Sequence, residues 1–207
     1  MDFVSALVEK TLQAERGNVV TIIGSGGKTT LIWQIAADFA KKKVLVSPTT
    51  KMLVPKEKLY TWYYDCKSDK PSLESKPGIT LAGCYNESKG KLEALPCDLL
   101  GKLIAEYDLV LLEGDGANGL PLKAWASYEP VVPSYTSLTI GVLPLWPLGM
   151  PISEKIVHRL PLFLELSGAS AGEPFGPEHI AAIITGNEKQ PGLFAKARGK
   201  KFLYFNQ

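Results

Sequence analysis

Apolar residues Phe3, Val4, Leu7, Val8 and Leu12 recur three and four positions apart, behind Asp2, a good helix N-cap, and ahead of Gly17, which suits a C-cap. The pattern predicts an opening helix. Residues 18–23 then form a β-branched run and residues 24–28 a glycine-rich turn, after which residues 29–41 show a helical period with Leu31, Ile35, Ala36 and Phe39 on one side. Residues 43–47 read as a second short buried strand. Strand, helix and strand in this order predict a βαβ unit with a right-handed crossover and a parallel sheet.

Beyond residue 51 the pattern loosens. Tyr60, Trp62, Tyr63 and Tyr64 are scattered rather than periodic and read as a packing patch, and residues 79–85 look like a strand before a polar turn. We read this stretch as an irregular, antiparallel insertion near residues 51–95 of one domain spanning 1–207. Residues 98–107 are helical by period, and residues 109–112 are an apolar run that ends abruptly in Glu113-Gly114-Asp115-Gly116. Further strands are predicted at 138–143 and 201–205, and helices at 153–166, bent by Pro161, and at 177–185. There is no internal repeat. Alternating strands and helices predict an α/β fold, a three-layer α/β/α sandwich with a mainly parallel sheet and ligands at the C-terminal strand ends.

Composition adds mostly exclusions. With 207 residues, 45% hydrophobic and 21% charged, the chain has the profile of an ordinary globular domain large enough to need no disulfide staples. The formal charge of +2 is too balanced for sequence-independent nucleic-acid binding. Cys66, Cys84 and Cys97 are odd in number, widely spaced and free of any CxxC pair, which suits a reducing compartment. Met1-Asp2-Phe3 opens no signal-like basic and apolar stretch, and the longest apolar region, 138–148, is interrupted by Gly141, Pro144 and Pro147. The expectation is a cytoplasmic protein with no membrane partner.

The sharpest chemical signal is Gly24-Ser25-Gly26-Gly27-Lys28-Thr29-Thr30 between a strand and a helix. A polyphosphate needs backbone N–H groups free of Cβ obstruction, a helix N-terminus, a lysine for the outer phosphates and a hydroxyl for Mg²⁺. Gly24, Gly26, Gly27, Lys28 and Thr29 supply these, and Lys28 is expected to face solvent until a ligand arrives. The loop is a shortened GxxGKTT that resembles the loop of Mur-type ligases, and it makes the expected sandwich P-loop NTPase-like. A plain glycine turn with a solvated lysine is the structural alternative.

The second signal is the acidic strand end. A carboxylate on a neighbouring strand must reach the Mg²⁺ that bridges the β- and γ-phosphates. Asp115, flanked by two glycines, is assigned to the metal, Glu113 to positioning water, and Lys123 just beyond to neutralising charge on the transferring phosphate or an anionic partner. Thr49, Thr50 and Lys51 follow the second strand and either line the nucleotide site or serve a plain structural capping role. Glu129 is either a site residue or an exposed charge. His158-Arg159 precedes Pro161 and reads equally as a site pair or as surface, and His179 as a packed or solvated helix residue.

Six segments together resemble the YqeC-type accessory proteins of selenium-dependent hydroxylases. They are residues 20–31 (VTIIGSGGKTTL), 47–52 (SPTTKM), 112–123 (LEGDGANGLPLK), 129–133 (EPVVP), 157–161 (VHRLP) and 202–207 (FLYFNQ). Members commonly read four threonines where this chain has Ser47-Pro48-Thr49-Thr50, and they tend to continue past an Asn-Lys-x-Asp-like element where this chain has Asn206-Gln207. The resemblance implies a P-loop protein linked to maturation of selenium-dependent molybdenum hydroxylases, whose partners would be such a hydroxylase or its cofactor-maturation proteins.

The leading expectation is therefore an Mg²⁺-dependent NTPase or nucleotide-driven accessory protein using ATP or GTP. A small-molecule kinase or acyl-phosphate-forming ligase with a Mur-like loop is the second reading. A non-hydrolysing nucleotide-binding scaffold is the third.

Overall fold

The computed structural model describes residues 3–12, 17–68 and 76–207. In chain order the elements are α1 (Phe3–Thr11), β1 (Asn18–Gly24), α2 (Lys28–Asp38), β2 (Lys43–Pro48), β3 (Lys51–Leu53), β4 (Trp62–Asp65), β5 (Gly78–Asn86), β6 (Lys91–Glu93), α3 (Cys97–Ile104), β7 (Leu109–Glu113), β8 (Leu122–Lys123), β9 (Leu138–Pro144), β10 (Val157–His158), α4 (Leu160–Ser167), α5 (Pro177–Thr185) and β11 (Lys200–Asn206). Helix α1 ends well before Gly17, and the cap expected at Asp2 lies outside the described residues.

The central sheet runs in the order β11, β9, β1, β7, β2, β5, and these neighbours are all parallel. β1 and β7 are buried along their whole length, which explains why both read as unbroken apolar runs rather than alternating ones. Val20, Ile22, Val46 and Leu111 point to one face, where α1 contributes Val4 and Val8 and α2 contributes Leu31, Ile32 and Ile35. Val19, Val110 and Leu112 point to the other, against Leu100 and Leu103 of α3. On that second face Ile23 and Leu143 pack with Phe163 and Leu166 of α4 and Ile183 of α5. The sheet is thus covered on both sides, and each fully buried Ile or Leu contributes about 1.5–3 kcal/mol. The fold is α/β with a mostly parallel central sheet.

Residues 51–95 divide between two kinds of pairing. β5 joins the main sheet parallel to β2, and β4 lies parallel along its other side. Only the end of β5 carries an antiparallel ribbon, with β6 pairing β5 and β3 pairing β6. The β4–β5 pairing sets Asp65 opposite Gly83 and brings the next residues, Cys66 and Cys84, into a disulfide with Cα atoms 5.0 Å apart. Wide sequence spacing gave no hint of this bond. Cys97 is free and exposed.

The helix expected over 153–166 does not form as one piece. Residues 157–158 make β10, parallel to β8, the chain turns through Arg159 with φ 64°, and α4 begins with Pro161 in its first turn. Pro161 starts the helix instead of bending it, because a first-turn residue has no intrahelical N–H bond to lose. Among the described residues no helix is long and apolar enough to cross a membrane.

Candidate functional site

The glycine-rich loop leaves the C-terminal end of β1 and enters α2 at Lys28. Gly24 adopts φ 100°, and a Cβ there would collide with the carbonyl of Val142 on β9. Gly27 adopts φ 129° as the N-cap of α2, and a Cβ there would strike the Asn206 side chain. No side chain caps α2, so the N–H groups of its first turn have no intrahelical partner. Asn206, at the end of β11, donates Nδ2–H to the Gly26 carbonyl at 2.8 Å and ties the loop from its far side.

In front of the loop lies a cavity of about 500 Å³. Its inner wall is residues 26–30 with Glu113, and its outer wall comes from residues 51–53, Lys91 and residues 116–119. The sheet register sets Glu113 beside Ile22 of β1 and Pro48 of β2, one strand over from the loop. Across that gap Thr29 donates Oγ1–H to Glu113 Oε2 at 2.9 Å. Burial pushes the Glu113 carboxyl above its ordinary range, and the nearby Lys28 ammonium and the Thr29 hydrogen bond offset this only in part.

Lys28 does not face solvent. It is 5% exposed, its Nζ donates to the Gly24 carbonyl at 2.7 Å, and it sits 3.4 Å from Asp115 Oδ1. The lysine lies folded back over the base of its own loop, because that is where the nearest carboxylate is.

Asp115, expected at a metal, is enclosed. It is fully buried, both oxygens accept the Gly24 N–H, at 3.1 and 3.2 Å, and Oδ2 also accepts from Lys123 Nζ at 3.1 Å and Trp125 Nε1 at 2.6 Å. Asp115 is not among the residues that line the cavity. Glu113, assigned to water, is the acid that lines the cavity. Lys123 also lies outside the cavity lining: its side chain is fully buried, and it donates to Asp115, to the Gly116 carbonyl and to Glu129 Oε2 at 3.0 Å.

Glu129 and Arg159 extend this buried network outward. Arg159 donates to Glu129 Oε2 at 2.5 Å, to the Ala124 carbonyl at 3.3 Å and to Tyr128 Oη at 3.2 Å. Burial alone would raise the Glu129 carboxyl, but Arg159 and Lys123 hold it below its ordinary range. His158 is held low by burial and by the charges of Arg159 and Lys123. His179 is packed, not solvated, between Gly176 N–H and Glu173.

Thr49 ties loops together rather than lining the cavity, with Oγ1 donating to the Val131 carbonyl at 2.7 Å. The Thr50 and Ser25 hydroxyls are buried without a hydrogen-bond partner among the described residues. Trp125, Asn206 and Lys91 were not singled out from sequence as site residues. A tryptophan, an asparagine and a lysine in loops or at strand ends carry no local signal until the fold places them beside the loop.

Among the described residues no cluster of three or more His, Cys, Asp or Glu side chains can hold a metal. The oxygen pair of Thr29 and Glu113 is of the kind Mg²⁺ accepts, since that ion keeps several waters and takes few protein oxygens.

A sequence model of the YqeC protein family matches residues 20–161. A protein of Escherichia coli (strain K12), named "Uncharacterized protein YqeC", is 28% identical over 189 residues, covering 87% of this chain and 72% of the relative. No solved structure matches the chain. The matched span holds the glycine-rich loop, both acids and the Lys123–Glu129–Arg159 network, and over that span, more than half of its length, the chain belongs to the YqeC family.

Proposed function

We propose that this chain is an Mg²⁺-dependent nucleoside-triphosphate-binding protein of the P-loop type and an NTPase, working in the cytoplasm as an accessory factor in maturation of selenium-dependent molybdenum hydroxylases. The observation that carries the nucleotide reading is the Thr29–Glu113 hydrogen bond at 2.9 Å, a hydroxyl and a carboxylate joined directly beneath an uncapped helix start. The maturation role rests on the family resemblance alone.

In this reading Thr29 and Glu113 hold the cation. Bound Mg²⁺ would supply charge neutralisation on the β- and γ-phosphates. The N–H groups opening α2 receive phosphate oxygens, aided by the helix dipole. Lys28 exchanges the Gly24 carbonyl for the outer phosphates, a swing about its own flexible stem. Asp115 is a positioning residue that fixes the Gly24 N–H and anchors Lys28 nearby. Positioning and charge neutralisation then carry turnover, as is usual for phosphoryl transfer. ATP and GTP are both candidates for the base.

The test is thermal unfolding with ATP or GTP, each with Mg²⁺ or EDTA, followed by phosphate release. Ligand at a hundredfold excess over Kd stabilises the native state by about 2.7 kcal/mol. A nucleotide-induced shift that needs Mg²⁺ supports the reading, and no shift with any triphosphate overturns it. Binding without phosphate release favours the scaffold. The open cavity in front of the loop favours, as a second reading, a kinase or ligase that holds an acceptor there.

A further inference from the structure

The antiparallel ribbon β3–β6 pairs Lys51 with Glu93, Met52 with Leu92, and Leu53 with Lys91. Directly opposed residues share a face, so Met52 and Leu92, both buried, point into the core while Lys51, Leu53, Lys91 and Glu93 share the other face. Of these four, Lys51, Leu53 and Lys91 line the cavity in front of the glycine-rich loop and Glu93 does not. Leu53 is 63% exposed, an apolar side chain set between two cations at the mouth of a polar site.

The cations differ from the lysine of the loop. Lys28 is already engaged by Gly24 and Asp115. Lys51 meets Glu93 at 3.4 Å and stays half exposed, and Lys91 is in no ion pair among the described residues. The facing wall, residues 116–119, adds no charged side chain, and a Cβ at Gly116 or Gly119 would meet nothing, so the space between the walls is open. A triphosphate on residues 26–30 is served by Lys28, the α2 N–H groups and the Thr29–Glu113 pair. None of those groups engages Leu53, which is left free for an apolar group.

We propose that the outer half of this cavity, formed by Lys51, Leu53 and Lys91, is a second binding site for a small organic anion, a phosphate or carboxylate on an apolar body, occupied together with the nucleotide. The inference rests on the nucleotide reading for what fills the inner half. The lysines take the anionic group and Leu53 covers the apolar body.

The experiment is calorimetric titration of phenyl phosphate, benzoate and inorganic phosphate into the protein, without nucleotide and again saturated with Mg²⁺ and a non-hydrolysable triphosphate. Phenyl phosphate or benzoate is expected to bind the saturated protein, and whichever is tighter identifies the anionic group. Lys91→Ala and Lys51→Ala should each weaken that binding by about tenfold or more, the loss expected for a charge-assisted hydrogen bond, and leave triphosphate affinity unchanged. Leu53→Ala should narrow the preference for phenyl phosphate over inorganic phosphate. Displacement of the organic anion by the nucleotide, or binding indifferent to both lysines, overturns the proposal. If no triphosphate binds yet phenyl phosphate still binds through Lys91, the nucleotide reading falls and the outer site stands.

Discussion

Asp115 and Gly24 are locked together, with both carboxylate oxygens within 3.2 Å of the Gly24 amide nitrogen. The acid therefore supports the glycine-rich loop from beneath, while Glu113, two residues earlier, faces the cavity. Asp115→Asn removes the charge facing the buried Lys123 and keeps the side-chain shape. Lys123 keeps its bond to Glu129, so losing one of its two carboxylates should cost about 1.5–3 kcal/mol, the range for a hydrogen bond to a charged group. Urea denaturation should show a loss of that size, and a variant as stable as the parent would mean Asp115 is no structural hub.

Thr29→Val exchanges only the hydroxyl for a methyl. Triphosphate affinity measured with Mg²⁺ should fall by about tenfold, equivalent to 1.4 kcal/mol, while affinity in EDTA should not change. Equal losses in the two conditions would place the hydroxyl on the phosphates and not on the cation.

Lys28→Met keeps the aliphatic stem that packs in the loop and deletes the ammonium. Triphosphate affinity should drop roughly 10- to 150-fold, the range for a lost charge-assisted hydrogen bond. Asp115 keeps Lys123 and Trp125, so the urea midpoint should move far less than in Asp115→Asn. Unchanged affinity by calorimetry would remove Lys28 from the site.

Glu113 sets a pH dependence. Its carboxyl is raised chiefly by burial, so the native state holds the proton more tightly than the unfolded chain. Its contribution to stability is full below the ordinary carboxylate pKa and is lost as pH rises through the raised native value. Glu113→Gln, which is neutral throughout, should therefore gain stability over the parent as pH rises past that value, by about 2–4 °C in Tm for each kcal/mol. The gap should close in acid. Thermal melts of ligand-free protein across the acid-to-neutral range decide it, and a gap that widens in acid refutes the sign. The same variant should lose Mg²⁺-dependent nucleotide affinity at neutral pH.

Some elements were fully legible from the chain. Residues 18–23 form most of β1 because a strand buried on both faces needs an unbroken apolar run, and α5 starts at Pro177 because proline suits the first helical turn. The loop glycines were legible as well, since only glycine adopts the positive φ at Gly24, Gly26 and Gly27 without strain. Period alone misread residues 153–166, where pairing of β10 with β8 outweighs helical patterning before Pro161. Cys66 and Cys84, 18 residues apart, met only because β4 lies along β5.

By itself the sequence determined what depends on neighbours a few positions away: the strand–loop–helix of residues 18–38, the apolar run of β7 ending in acids, and the alternation that calls for a parallel sheet. Where the two acids sit was decided by tertiary structure. Position i and i+2 in the chain does not say which carboxylate meets the cavity and which meets Lys123, Trp125 and Gly24, because those partners arrive from β8, its following loop and β1 only when the sheet is complete. A buried charge takes the partners that folding brings within hydrogen-bond distance, and that distance is not written in sequence separation.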